Sequence, residues 1–430
     1  MDARYYPRLG ETVYWDTLQN GLTIAVVPRP GFTKKLAYFV TDFGAIHTEF
    51  VQDGQHVSLP AGIAHYLEHK LFDMPGRDIT EEFAVLGAVP NAFTGYDMTA
   101  YYFSCTDHFD KCLQLLLEFV STPYFTDESV QKEQGIIGQE IDMTADNPDT
   151  RVFEQLMELM YENHHVRQPI LGSRDSIGNI TPAVLEQCHK AFYCPGNMLL
   201  CVIGDVEPQQ VCSIAEHVLP AAASAPVQAT RTWQENMICQ AHDACTAMEV
   251  SMPTFQLGFK CEPLGRGDAA VRQEIIGDLA AEALFGESSA LYMQMYEDGL
   301  IDSSFGGGFE TIEGMALLSA SGDSEDPEGV RTAILDRAAI LVQEGIRQED
   351  FLRMKRSALG RRIRGLDSFD ATCFRICAYH FSGFDYFQFP AIYQDVEVSE
   401  ILEFIQRVVT YDRSGLSVIV PLEQEESYYV

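Results

Sequence analysis

At 430 residues the chain is too long for one ordinary hydrophobic core, so two or more units are expected. With 46% apolar and 21% charged residues it has the composition of a folded globular protein, and no run of ~18 consecutive apolar residues marks a membrane span. The net charge of −34 repels nucleic-acid phosphate and anionic membrane surfaces and favours basic ligands, although much of it simply solvates the surface.

The first residues, Met1-Asp2-Ala3-Arg4-Tyr5-Tyr6-Pro7, lack the basic region and apolar run of a secretory signal. Leu22 to Val27 and Leu36 to Phe43 read as strands. Gly62 to Phe72 and Ile79 to Leu86 read as helices. Thr99 to Cys105 reads as a strand, followed by helices over Lys111 to Val120 and Asp127 to Met143. Phe192-Tyr193-Cys194-Pro195-Gly196-Asn197 then leads into a strand over Met198 to Ile203. The Pro-, Ala- and Ser-rich stretch beginning at Leu219 reads as a linker, 219–234.

The second half echoes the first. Gln348 to Ile363 follows the pattern of Thr126 to Ile141, with acidic residues at the start, a helical apolar period, and glycines Gly138 and Gly360 in matching places. Thr410-Tyr411-Asp412-Arg413 leads into a strand-like run, Leu416 to Val420, as Tyr193 does before Met198. Both echoes fall at an interval of roughly 220 residues, which implies duplication of one domain-sized unit. The expectation is an α+β chain of two repeats, 1–218 and 235–430.

The eleven cysteines are odd in number and form no CxxC, which fits a reducing cytoplasm. Cys105, Cys188, Cys201 and Cys261 lie in apolar patterns. Cys373 and Cys377 share a helical face, where small core thiols are expected before a dithiol or metal pair.

The chemistry concentrates at His65-Tyr66-Leu67-Glu68-His69. A helix puts His65 and His69 one turn apart on one face, where two imidazoles can hold one Zn²⁺. Glu68 adjoins them and can act on a water at the metal. Chance produces such a motif in a chain of this composition only roughly 0.02 times. A catalytic zinc takes a third protein ligand and keeps one position open. Glu140 on the helix from Asp127 is the candidate, with Glu133 two turns earlier on the same face. Acidic helix residues are usually only solvated, but these two lie among Val130, Ile136, Ile137 and Ile141.

Taken together the motifs resemble the pitrilysin/insulinase (M16) family of metallopeptidases. That family carries HxxEH, an Asn-Ala-x-Thr strand, and two glutamates seven apart on a later helix. Here these read His65 to His69, Asn91-Ala92-Phe93-Thr94, and Glu133 with Glu140. The Tyr193 to Met198 segment and the following Gly204-Asp205 also match. The resemblance implies two tandem homologous α/β-roll repeats forming half of a clamshell, the second lacking the zinc motif. It implies His65, His69 and Glu140 as zinc ligands, Glu68 as general base, and Glu133 as an acid supporting the ligands. It also implies Asn91 and Ala92 at the edge where a peptide substrate docks as an extra strand. By packing alone, Phe93 reads more simply as a core residue than Ala92 does.

One feature departs from the family. Active members carry an Arg and a Tyr, seven residues apart in the second repeat, that hold the substrate and polarise its carbonyl. The corresponding stretch, Leu291 to Asp302, places Tyr296 and Asp302 near those positions. An Asp there repels a developing oxyanion. The expectation is therefore a zinc-bearing subunit whose paralogous partner supplies the pair in a heterodimer. It would hydrolyse unfolded peptides, with maturation of ribosomally made peptides as its setting. The competing readings are a non-catalytic assembly subunit and a metal-binding scaffold. Phe305, Gly306-Gly307-Gly308 and Phe309 read either as chamber lining or, more simply, as a strand bulge.

Overall fold

The computed structural model describes residues 1–430 except 53, 222–226, 230, 232 and 423–430. The chain forms two compact units. One comprises Met1–Ile141, Gln168–Thr230 and Ile363–Gln388. The other comprises Asp142–Arg167, Arg231–Arg362 and Phe389–Val430.

The first unit is built on a seven-stranded sheet. In spatial order its strands are Asp2–Tyr6, Glu11–Thr17, Thr23–Pro28, Met198–Gly204, Lys35–Thr41, Thr99–Cys105 and Val89–Thr94. Only Thr23–Pro28 and Met198–Gly204 run parallel. The central strands are covered on both faces, which is why Met198 to Gly204 and Leu36 to Thr41 are continuously buried. Leu200 opposite Phe39 faces one layer, with Leu67, Phe83, Phe103 and Leu116 in the same core. Cys201 opposite Tyr38 faces the other. Val89–Thr94, which carries Asn91 and Ala92, lies at the end of the sheet and has one open edge.

The second unit repeats this order with five strands: Asp243–Met248, Ser414–Pro421, Thr254–Cys261, Met315–Asp323 and Gly306–Ile312. Its one parallel pair joins its first strand to its last in sequence, as Thr23–Pro28, third in sequence, joins the last strand of the larger sheet. The helix pair expected at matching positions is present, Asp127–Ala145 and Gln348–Arg364. So are the single 3₁₀ turns before the closing strands, Pro195–Asn197 and Tyr411–Arg413. The duplication legible in two short echoes is thus carried by the topology.

Compactness divides the chain differently from the expected boundaries of 1–218 and 235–430. The helix Pro148–Met160, from the first half, packs on strands Thr254–Cys261 and Ser414–Pro421. There the Met160 side chain fills the space left by Gly258 and Gly415. The helix Phe369–Phe381, from the second half, packs on Met198–Gly204 and Lys35–Thr41. Each sheet therefore has its second face covered by a helix from the other half. Part of the linker expected over 219–234 lies outside the described residues; Gln228–Ala229 pairs with Glu49–Gln52.

Two smaller expectations resolve here. Cys373 and Cys377 do share a helix, and both are buried, with Cys201 Sγ 3.6 Å from Cys373 Sγ. They pack as core thiols. The glycine run is not a bulge: Gly306, Gly307 and Gly308 pair in unbroken register with Ser321, Ala320 and Ser319. A Cβ on Gly307 would lie 2.3 Å from the Phe285 ring, so packing requires the glycine. Phe305 and Phe309 turn inward, onto Phe285 and Phe404 respectively. Among the described residues no helix is long and apolar enough to cross a membrane.

Candidate metal centre

The motif helix runs Ile63–Leu71, close to the span its sequence predicts. Its start is set by backbone contact. Gly62, the N-cap, has φ +87°, and a Cβ there would stand 2.4 Å from the Leu171 carbonyl oxygen. Gly172 has φ +72°, and its Cβ would stand 2.5 Å from the Ala61 carbonyl oxygen. Two chain segments cross here at a distance only glycine permits. Ile63, Ala64, Tyr66, Leu67 and Leu71 then anchor the helix in the core. The Tyr66 hydroxyl donates to the carbonyl of Val130, tying this helix to Asp127–Ala145.

That tie brings together residues far apart in sequence. The His65 and His69 rings lie 4.6 Å apart, centroid to centroid. Glu140 Oε1 is 3.7 Å from His65 Nε2, and Glu140 Oε2 is 3.7 Å from His69 Nε2. Ligand atoms of all three fall within 4.8 Å of one another; among the described residues no other His, Cys, Asp or Glu group does so. A tetrahedral zinc with ~2.0–2.1 Å bonds spaces its ligand atoms ~3.3 Å apart, so the two Glu140–histidine separations exceed that spacing by only tenths of an ångström. Two imidazoles and one carboxylate, with a fourth position left over, are the donor set of a catalytic zinc.

Glu133 completes the arrangement. Its Oε1 is 3.0 Å from His69 Nδ1. A carboxylate accepting from Nδ1–H leaves the Nε2 lone pair free for a metal and raises the basicity of the ring. Among the described residues His65 has no such support, since its buried Nδ1 meets no hydrogen-bond partner there. Burial, reinforced by the neighbouring His69, pushes the His65 pKa down to about 4, so this imidazole is neutral and available at pH 7. Burial also works against charge on His69, but the Glu133 hydrogen bond and the charges of Glu68, Glu133 and Glu140 outweigh it and raise that pKa. Burial lifts the carboxyl of Glu68 above its usual range, against the opposing hydrogen bond from Thr94.

The substrate-edge candidates lie nearby in the fold. Thr94 Oγ1, on the edge strand, donates to Glu68 Oε2 at 2.7 Å. Asn91 is exposed, and its Oδ1 accepts from the Ala92 N–H at 2.8 Å. Ala92 is partly buried against the core, whereas Phe93 packs on Tyr38, Tyr102 and Phe374. In the second unit, Tyr296 is 51% exposed at the end of the helix Ala290–Glu297 and stacks on Tyr292. Asp302 accepts from the Ser304 hydroxyl and backbone N–H, which hold its carboxyl below the usual range.

Two contributions to the site carry little signal in the sequence. Thr94 stands in the Asn-Ala-x-Thr motif, but nothing in that motif shows that its hydroxyl meets Glu68. The Gly62–Gly172 crossing has no sequence signal beyond a glycine before a helix, because its other half lies a hundred or so residues away.

The fold and this site define a zinc metallopeptidase of the HxxEH type. Residues 56–174 match the insulinase (peptidase family M16) model, and 179–358 match the peptidase M16 inactive domain. The chain is 34% identical to YmfH of Bacillus subtilis, described as an uncharacterised zinc protease, over 97% of this chain and 98% of that one. An M16-like peptidase from Alicyclobacillus acidocaldarius superposes with a TM-score of 0.91 at 30% identity, covering 96% of this chain and 98% of that one. Pitrilysin shares the fold with a TM-score of 0.77 at 15% identity, and 97% of this chain spans 46% of it. The chain belongs to the insulinase family of peptidases, M16.

Proposed function

We propose that the chain is the zinc-bearing subunit of a heterodimeric endopeptidase that cuts extended, unfolded peptides. The observation that carries this reading is the meeting of His65, His69 and Glu140, with Glu68 linked to the open edge strand. Those three side chains would hold a zinc, which when bound would supply Lewis acidity towards the scissile carbonyl and lower the pKa of water. Glu68 takes the proton of the attacking water and returns it to the leaving amine. Glu133 keeps His69 in the tautomer that presents Nε2.

The peptide lies along Val89–Thr94 as an added strand. Such pairing uses backbone hydrogen bonds and tolerates many sequences. The Ala92 N–H, held by the Asn91 carboxamide, is the donor that a substrate carbonyl takes over. The charge of −34 favours basic peptides. Eleven cysteines, odd in number, support a reducing cytoplasm as the compartment.

A paralogous partner enters through Tyr296 and Asp302, which stand where the resemblance leads one to expect Arg and Tyr. Neither can replace a guanidinium, and Asp302 carries the wrong charge. The partner would supply the pair, with leader removal from ribosomally made peptides as the setting. The same observation favours a second reading, a non-catalytic metal-binding assembly subunit.

The experiment is to purify the chain alone and with its paralogous partner, measure zinc, and assay a quenched-fluorescent peptide library. One zinc per chain with cleavage only in the mixture is expected. Cleavage by the chain alone removes the need for a partner. Zinc without cleavage in any mixture favours the scaffold.

A further inference from the structure

The Glu68 carboxylate meets one hydrogen-bond donor among the described residues, the hydroxyl of Thr94 at 2.7 Å from Oε2. The two side chains come from different elements, a helix and the edge strand. A helical glutamate turns about three χ angles, whereas a threonine on a strand is stiff at χ1. Thr94 is further held by its cross-strand pairing with Thr99, which is buried and donates to the Phe43 carbonyl at 2.8 Å. The stiff partner therefore orients the mobile one.

We propose that Thr94 is a positioning residue for Glu68. Its hydroxyl occupies Oε2 and leaves Oε1 to take the proton from the attacking water. This rests on Glu68 being the general base, as proposed above. It also gives the edge strand a second task. The strand that would pair with the peptide also holds the base, so the register of the scissile bond and the direction of the carboxylate are set by one element. A helix-borne glutamate without this link would sample several rotamers, and only a fraction of encounters would find it aligned.

The test uses the zinc-loaded full chain, with whichever partner its activity requires, and four variants. Thr94→Val keeps the shape and removes the donor. Thr94→Ala removes both. Thr94→Ser restores the donor without the methyl group. Glu68→Gln tests the base itself. With zinc content verified, Thr94→Val and Thr94→Ala are expected to lower kcat about 10- to 100-fold at nearly constant KM, the loss of a hydrogen bond to a charged group. Thr94→Ser is expected to recover most of that loss. Crystal structures of the Val and Ser variants supply a readout independent of turnover. The Glu68 carboxylate should leave its position in the first and keep it in the second.

A rise in KM with kcat unchanged, or a Ser variant no better than Ala, overturns the proposal. So does an unmoved Glu68 in the Val variant. If Val fails to fold, the Ser and Ala pair decides. Full activity in Glu68→Gln would instead sink the base assignment, while the crystallographic comparison would still report whether Thr94 orients the carboxylate.

Discussion

Glu133→Gln probes the metal centre from behind its ligands. Glu133 makes one contact with the site, Oε1 to His69 Nδ1 at 3.0 Å, and its side chain is only 15% exposed. A charge-assisted hydrogen bond in so dry a place contributes about 1.5–3 kcal/mol. Glutamine preserves the acceptor and removes the charge, so the loss should fall at the lower end. Zinc affinity is expected to drop about tenfold in Glu133→Gln and about 100-fold in Glu133→Leu, or ~1.4 and ~2.7 kcal/mol. Competitive titration against a chromogenic chelator measures this directly, with circular dichroism confirming the fold.

The pH dependence carries a sign. Glu133 is a main reason the His69 pKa is raised in the metal-free chain. Protons therefore compete with zinc at His69 more strongly in the wild type than in either variant. The affinity deficit of the variants is expected in full at pH 8 and should narrow at pH 6. Wild-type zinc affinity in both variants at pH 8 would refute the role assigned to Glu133.

Three further outcomes are expected. Gly62→Ala combines an unfavourable φ with a clash against Leu171, so urea unfolding should register a loss of about 2–4 kcal/mol, and zinc affinity should fall as the helix start shifts; unchanged values would show that the crossing is slack. His164 is buried, its Nδ1 accepts from the Val166 N–H, and burial pushes its pKa down to about 4. Because the folded value lies below the unfolded ~6.5, the unfolded chain binds the proton more tightly. This contribution is complete above pH ~6.5 and lost as pH falls towards 4, by up to about 3 kcal/mol. Urea titrations of the zinc-free chain at pH 7 and 5 should show that slope, to which buried His65 adds with the same sign, and His164→Gln should make it shallower; an unchanged slope would assign the acid sensitivity elsewhere. Free zinc at 100 times its Kd should stabilise the chain by about 2.7 kcal/mol in calorimetry, and His65→Ala should abolish most of that shift.

Much of the site was legible in the sequence because its signals are local. The i, i+4 spacing of His65 and His69 is a property of any helix, and the helix was marked by the apolar residues around it. Thr99 to Cys105 announced itself as a strand by β-branched and aromatic content, and its span agrees with the fold to the residue. The duplication was visible because Gly138 with Gly360, and Tyr193 with Tyr411, repeat at nearly the same interval, roughly 220 residues.

What lay beyond reach depends on contacts between distant segments. Glu140 meets His65 and His69 only because Tyr66 bonds to Val130 and two helices pack. Spacing made Glu140 the best candidate for the third ligand, and the family resemblance assigned it, but neither shows the contact that places it beside the histidines. The expected bulge at Gly306-Gly307-Gly308 failed because the strand keeps its register, and the demand for glycine at Gly307 came from the Phe285 ring, which no local pattern announces. The crossing of helices between the halves follows from which side chains fill which gap, as Met160 does over Gly258 and Gly415. By itself the sequence determined the elements, the repeat and the donor types of a zinc site, since these follow from periodicity and residue chemistry. Tertiary structure alone decided which carboxylate faces the histidines, which hydroxyl holds Glu68, and which helix covers which sheet. Those choices rest on packing between residues far apart along the chain.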